Sequence, residues 1–216
     1  MSELLHATDS HGHYVKTGER VALLREIRDH SLRHGDAHLA VPVVHIILLT
    51  RSGQIHLVQR GDKPENPFMW DKAVGGHVVT ENPHLTREDF DANARKEMAE
   101  EIGVEQVVIA SDDLHYHRLL QSGTIDTNVQ AVIRMIDYDP WQGAISRVRG
   151  GEPWLKRHNV AVYAGTYDGP MRFVDQEARD HRLVNRQDLL ADLLTSPWNY
   201  ADGARLFMQR YYHLLR

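Results

Sequence analysis

Apolar residues recur with a helical period in several segments of the chain. Residues 21–33 place apolar positions three apart among charged ones, which is typical of an amphipathic helix. Phe90, Ala94, Met98 and Ile102 follow one another every fourth residue and give a second helix one apolar face. Further helices are predicted near residues 187–194 and 200–215.

Other segments carry the apolar runs and turn residues that predict β-strands. Residues 41–50 form a long apolar strand, and Ser52-Gly53 turns it into a second strand at residues 55–60. Residues 4–7 and 13–16, joined through Asp9-Ser10-His11-Gly12, predict an N-terminal β-hairpin. Later strands are predicted at residues 115–121, 129–136, 159–167 and 183–184.

Length and composition predict one domain. The chain has 216 residues, of which 42% are hydrophobic, so it can bury one good core but not two complete domains. We predict a single domain over residues 1–216, with an N-terminal extension at 1–36, an insertion at 122–157 and C-terminal helices at 187–216. Trp141 and Trp154 of the insertion would cover a ligand, cover a partner subunit in a homodimer, or pack as an extra layer on the core.

Composition also limits the cellular compartment and the classes of binding partner that we expect. No apolar run approaches the roughly 20 residues of a membrane helix, and the first residues do not resemble a secretory signal. The absence of Cys excludes disulfides and thiolate chemistry and fits a cytoplasmic protein. A formal net charge of −5 argues against broad nucleic-acid binding. A phosphate-bearing ligand must therefore be held by local positive groups or by a metal ion.

Three carboxylates, Glu97, Glu100 and Glu101, lie at positions i, i+3 and i+4 of the second predicted helix. Because a helix turns about 100° per residue, the three share one side of it and repel one another. Mg²⁺ would relieve this repulsion, since it prefers carboxylate oxygens and keeps waters for phosphate chemistry. The alternative is an ordinary solvated acidic face.

Glycines and a cap frame this acidic helix. A Gly75-Gly76 turn follows an apolar run and places bare backbone near the helix, while Gly103 stops the helix directly after the acids. Thr86, with Asp89 three residues later, resembles a capping box that starts the helix. These surroundings favour a metal site over a solvated face.

Residues 76–104 resemble the Nudix box, whose pattern is Gly-x5-Glu-x7-Arg-Glu-apolar-x-Glu-Glu-x-Gly-apolar. Residues 96–104 match every fixed position except the first, where Lys96 replaces Arg. Glu88 stands eight residues before Lys96, as the isolated Glu of the family does, but the loop at residues 80–85 is longer than the pattern allows. Lys cannot make the planar bidentate contact of Arg, so Lys96 would hold this loop differently. The three carboxylates of the pattern are all present.

The resemblance extends over nearly the whole chain, to the Nudix branch related to isopentenyl-diphosphate isomerase. It is carried by Gln59-Arg60, the Pro-containing loop after it, Trp70-Asp71-Lys72-Ala73-Val74-Gly75-Gly76-His77-Val78, His38-Leu39-Ala40 and Ser196-Pro197-Trp198. Gly75 stands where those isomerases carry a catalytic Cys, and Arg157-His158-Asn159 is the best match to their later acidic residue. Because both proton-handling groups are missing, an isomerase is disfavoured.

The resemblance implies a Nudix-type α/β/α sandwich around a curved mixed β-sheet, with the N-terminal hairpin and helix and the C-terminal helices added to it. It also implies Mg²⁺- or Mn²⁺-dependent hydrolysis of the diphosphate linkage in a nucleoside diphosphate derivative or another X-linked diphosphate. The substrate is then a small molecule. Two alternatives are an enzyme like isopentenyl-diphosphate isomerase and a Nudix module that binds a ligand without turnover.

The resemblance assigns roles to individual residues. The implied metal ligands are Glu97, Glu100, Glu101 and the Gly76 carbonyl, with His77 either a further ligand or a turn residue. The proton of the attacking water would pass to Glu100 or Glu177, although Glu177 also fits an ordinary loop residue. The implied substrate contacts are Arg60 and Lys72 to phosphate and Trp70 as a wall of the site.

Overall fold

In the computed structural model, residues 3–173 and 178–215 are described, and they form a ten-stranded sheet with helices on both faces. The strands are β1 Leu4–Thr8, β2 Tyr14–Glu19, β3 Ala40–Leu49, β4 Ile55–Arg60, β5 Trp70–Lys72, β6 Val74–His77, β7 Gln106–Ala110, β8 Gln130–Ser146, β9 Trp154–Thr166 and β10 Ala178–Val184. The helices are α1 Arg20–His34, α2 Arg87–Ile102, α3 Asp113–Gln121, α4 Arg186–Thr195 and α5 Asp202–Tyr211. Within these residues, no helix combines the length and the apolar character needed to cross a membrane.

Strand β3 lies at the centre of the sheet and separates its two cores. It pairs in parallel with β9 along its length and antiparallel with β6, and the sheet runs in the order β10-β4-β3-β9-β8-β7. Successive side chains of a strand point to opposite faces. Val43 and Ile47 therefore enter one core with α1 and α5, whereas Val44 and Ile46 enter the other with α2. This α/β/α arrangement around a mixed sheet confirms the predicted fold class.

Helix α2 is fixed by local sequence signals at both of its ends. The Thr86 side chain accepts from the Asp89 backbone N–H, and the Asp89 carboxylate accepts from the Thr86 N–H at 2.8 Å. Gly103 ends the helix in the left-handed conformation, with φ of 69°. The apolar positions Phe90 and Met98 are buried against the sheet, and Glu97 beside them is only 8% exposed.

Most predicted elements occur near their predicted positions, but two predictions are wrong. Residues 115–121 form helix α3 rather than a strand, because Asp112 caps the segment and accepts from the His115 N–H at 2.8 Å. Gly75 and Gly76 belong to strand β6 rather than to a turn, since they pair with His45 and Val44 of β3.

The segment predicted as an insertion, residues 122–157, contributes mainly to the sheet. Strands β8 and β9 form a long antiparallel hairpin that includes Val132 paired with Thr166 and Ser146 paired with Trp154. Trp154 is 4% exposed and packs in the core that contains α1 and α5.

We predict that Thr86→Ala lowers the free energy of unfolding by about 1 kcal/mol, because the first turn of α2 loses its capping acceptor. Urea denaturation measures the change. Thr86→Ser keeps the hydroxyl and is the matched control, so it should remain close to the wild type. Equal stability of the Ala variant and the wild type would contradict the role given to this cap.

Candidate active site

A cleft of about 670 Å³ lies between α2, β6, the loop at residues 61–69, the β8–β9 hairpin and the start of α5. Acidic side chains of α2 line one side, and Arg20, Arg60, Lys72 and Lys156 contribute cations elsewhere in the lining. Gly75 and Gly76 of β6 also line the cleft, so bare backbone forms part of its floor.

The acidic side consists of Glu97, Glu100 and Glu101, which the structure brings together as predicted by their spacing. Lys96 lies beside two of them, with its Nζ 3.0 Å from Oε2 of Glu100 and 3.4 Å from Oε1 of Glu97. Glu101 accepts a hydrogen bond from the Gly75 N–H at 3.1 Å. The box helix is thereby tied to strand β6.

Glu97 lies directly against the backbone of Gly76. A Cβ at position 76 would come within 2.2 Å of the Glu97 carboxyl carbon and of its Oε2, so only glycine permits this approach. Burial raises the pKa of Glu97, and Lys96 only partly opposes that shift. A buried carboxylate with weak compensation is stabilised by a nearby cation.

These residues fit a divalent metal ion by their chemistry. Hard cations such as Mg²⁺ take carboxylate and backbone carbonyl oxygens, and the Glu97 carboxylate lies against the backbone of Gly76. In the described part of the chain, no three His, Asp or Glu side chains are already arranged as a complete metal site.

Lys72 occupies a narrow slot in the cleft. Its side chain is 10% exposed, and its Nζ lies 3.6 Å from Oδ2 of Asp71. A Cβ on Gly75 would lie 2.7 Å from the Lys72 Cε, and a Cβ on Gly203 would lie 3.0 Å from the Lys72 Nζ. Glycines in β6 and in α5 thus make room for one ammonium group.

Three histidines, His45, His77 and His158, add neutral polar groups to the lining of the cleft. The His45 and His158 rings meet edge to face with centroids 5.7 Å apart. Burial lowers the pKa of His77 to about 3 and holds the pKa values of His45 and His158 well below the usual range, with further lowering by nearby Lys72 and Lys156. At neutral pH the three rings therefore add hydrogen-bonding groups but no charge.

The NUDIX domain model matches residues 39–199, which covers most of the chain. The chain belongs to the NUDIX domain family. Nudix hydrolases act on nucleoside diphosphate derivatives and generally use divalent metal ions, and this chain is an enzyme of that hydrolase class. No curated protein matches its sequence.

Solved structures that are similar to this chain come from several organisms. DR0079 from Deinococcus radiodurans has 19% identity and a TM-score of 0.58, covering 97% of this chain and 99% of that chain. The MutT protein from Methanosarcina mazei Go1 has 15% identity and a TM-score of 0.47, with 81% and 94% coverage. The NUDIX domain of Shewanella oneidensis NrtR, solved with ADP ribose, has 15% identity and a TM-score of 0.47, with 82% and 89% coverage. At 19% identity the likeness to DR0079 is one of fold.

The structure brings the predicted Nudix site residues that it describes to one cleft, with the exception of Trp70. Arg60, Lys72 and His77 line it together with the box residues. Trp70 is absent from the described lining, and the Arg182 guanidinium carbon lies 4.3 Å from the centroid of its ring instead. Glu177 lies outside the described residues, so its role stays a prediction.

Two lining residues, His45 and Lys156, were not found from the sequence. His45 interrupts the apolar run of β3, and a lone polar residue in such a strand is a usable signal. Lys156 gave no signal, because it lies in the segment interpreted as an insertion and reaches the cleft only through the pairing of β8 with β9.

We predict that Gly76→Ala weakens divalent-metal binding at least tenfold, because the new methyl group displaces the Glu97 carboxylate. Titration with Mn²⁺ followed by electron paramagnetic resonance measures the affinity. Gly53→Ala is the control, since Gly53 has a positive φ of 82° but no non-neighbouring atom within 4 Å of the added methyl. The control should lose roughly 1 kcal/mol of stability and keep its metal affinity. Unchanged Mn²⁺ affinity in a folded Gly76→Ala protein would contradict the assignment.

Proposed function

We propose that the enzyme hydrolyses the diphosphate linkage of a small molecule, a nucleoside diphosphate derivative or another X-linked diphosphate, with Mg²⁺ or Mn²⁺. The observation that carries this proposal is the two-sided cleft, in which the box carboxylates of α2 and a set of cations line one cavity. A diphosphate matches both sides, because its oxygens bind metal ions and also accept from lysine and arginine.

In this mechanism the carboxylates hold the metal, and the metal, when bound, neutralises diphosphate charge and lowers the pKa of a water molecule. Glu97, Glu101 and the Gly76 carbonyl would be ligands, since Glu97 lies against Gly76 and Glu101 accepts from the Gly75 N–H. Glu100 is the more open acid, with a side chain 56% exposed against 10% for Glu97, so it can reach water in the cleft. We assign Glu100 as a ligand and as one candidate proton acceptor, with Glu177 as the alternative.

Arg60 and Lys72 are the proposed phosphate contacts on the other side. The Arg60 Nη1 lies 3.8 Å from Oδ2 of Asp71, and Lys72 shares the same carboxylate. One carboxylate thus neutralises only part of the charge of two cations. The remaining positive charge is available to a substrate phosphate. His77 is kept as a proposed additional ligand, since it lies in the cleft beside Gly76 and is neutral.

We predict that Glu100→Gln lowers turnover at least 100-fold and weakens divalent-metal binding, because it removes one ligand charge and one candidate base. A screen of nucleotide and isoprenoid diphosphates with Mg²⁺ or Mn²⁺, read as phosphate release, supplies the assay. The exposed ion pair with Lys96 contributes at most about 1 kcal/mol, so the fold should persist. Glu105→Gln, an exposed acid beyond the end of α2, is the matched control. Near-normal activity of Glu100→Gln at saturating Mg²⁺ would contradict the site.

An isomerase of the branch that the sequence resembles is the second candidate, and the slot beside Gly75 argues against it. Any side chain at position 75 would meet Cε and Nζ of Lys72 and, at 3.1 Å, the carbonyl oxygen of Val44. The end of the Lys72 side chain thus occupies the space beside position 75, and the sequence contains no Cys. At the later strand position, His158 lines the cleft and Asn159 is buried, so neither supplies a carboxylate.

We predict no conversion of isopentenyl diphosphate to its allylic isomer with any divalent metal. Proton NMR of the reaction mixture detects the isomer directly, and the Glu100→Gln protein serves as the background control. Isomer formation that depends on Glu100 would overturn the hydrolase proposal in favour of the isomerase.

A further inference from the structure

Lys156 forms an ion pair across the cleft with Glu65, and neither residue belongs to the Nudix box. Lys156 lies on β9 with its side chain 18% exposed, and Glu65 lies in the loop at residues 61–69 with its side chain 32% exposed. Both residues line the cleft that contains the box carboxylates. The pair therefore lies in the wall that a substrate would contact.

The loop that presents Glu65 is held in an unusual backbone conformation. Asn66 and Phe68 have positive φ values of 48° and 61°, which is uncommon for residues other than glycine. The Asn66 N–H donates to the Arg147 carbonyl at 2.8 Å, and the Arg147 N–H donates to Oδ1 of Asn66 at 3.0 Å. Such strain persists where the surrounding contacts enforce it, and it is concentrated at functional sites.

Lys156 is acted on by one acidic group, Glu65, and by two cationic groups, Arg60 and Arg20. Burial lowers the pKa of Lys156, and Arg60 and Arg20 lower it further, although Glu65 opposes the shift. Arg20 already has its own partner, since its Nη1 lies 2.5 Å from Oε2 of Glu3. Glu65 is therefore the main counter-ion of a partly buried ammonium group beside two arginines.

An anion that enters the cleft could replace Glu65 as the partner of Lys156. A buried ion pair often adds little net stability, because desolvation offsets the attraction between its charges. A phosphate group carries more charge than a carboxylate and offers more acceptor oxygens to a lysine. Exchange of partners would thus leave the ammonium paired and release Glu65 towards the solvent.

We propose that Lys156 binds a phosphate group of the substrate and that Glu65 is the exchangeable counter-ion which this phosphate displaces. The identification of that phosphate as part of a hydrolysed diphosphate rests on the proposed function. The binding itself requires no turnover and no metal ion, so it can be measured separately.

The proposal gives the two partners opposite effects on binding. Lys156→Gln removes the cation and should weaken phosphate binding, whereas Glu65→Gln removes the competing anion and should strengthen it. If the ion pair served only to fasten the loop to the hairpin, either substitution would disturb the cleft and both would weaken binding.

The experiment is calorimetric titration of the full chain with inorganic pyrophosphate in EDTA at low ionic strength. We expect Lys156→Gln to reduce the affinity at least tenfold, Lys156→Arg to retain most of it and Glu65→Gln to increase it at least threefold. Asp62→Asn is the matched control, because it breaks the other ion pair between this loop and the hairpin, to Arg149, in which both side chains are largely exposed. This control should bind as the wild type does.

Changes of the same sign in Lys156→Gln and Glu65→Gln, or no change in either, would overturn the proposal. Circular dichroism identifies unfolded variants, and if Lys156→Gln is unfolded, the Glu65→Gln and Lys156→Arg results decide. Pyrophosphate binding with the expected signs in a protein that hydrolyses no diphosphate would support this site while rejecting the proposed hydrolysis.

Discussion

The close approach of the Glu97 carboxylate to the backbone of Gly76 is the constraint on which the cleft depends. The carboxyl carbon lies 2.2 Å from where a Cβ on residue 76 would stand, so the acidic turn of α2 can lie this near only to a glycine. The Gly75 N–H holds the same helix through Glu101. Because β6 pairs with the central strand β3, the sheet fixes where the carboxylates of α2 lie.

Strand β6 also lies between the acidic and the basic side chains of the cleft. Carboxylates of α2 approach β6 from one core, whereas Lys72 and His45 lie on the side that faces α5 and β9. Each cation on that side has an acidic partner close by, such as Asp71 for Lys72 and Glu65 for Lys156. The buried imidazoles stay neutral, so they add no charge to this side. In the proposed function, a ligand with several negative charges would replace these acidic partners.

The fold class was implied by the resemblance to the Nudix family, whereas the geometry of α2 was predicted from local signals. The cap at Thr86, the glycine at Gly103 and the four-residue apolar period each act within one or two turns of the helix. Strand β6 and helix α3 were not predicted, and the two reasons differ. Pairing of Gly75 with His45 is a long-range contact that no local pattern shows, and the Asp112 cap overrides a strand-like run of residues. The position of Lys156 depends on the β8–β9 register, so only the structure could bring it to the cleft.

Nuclear magnetic resonance of the ¹⁵N-labelled chain during titration with Mn²⁺ tests the central claim most directly. Paramagnetic broadening falls steeply with distance, so it locates the metal without any assumption about the substrate. The account predicts that the amides of Gly75, Gly76, Glu97 and Glu101 broaden first. Broadening centred instead on the groove at residues 123–128, which Asp126 and Asp168 line, would contradict the assignment of the cleft as the metal-dependent site.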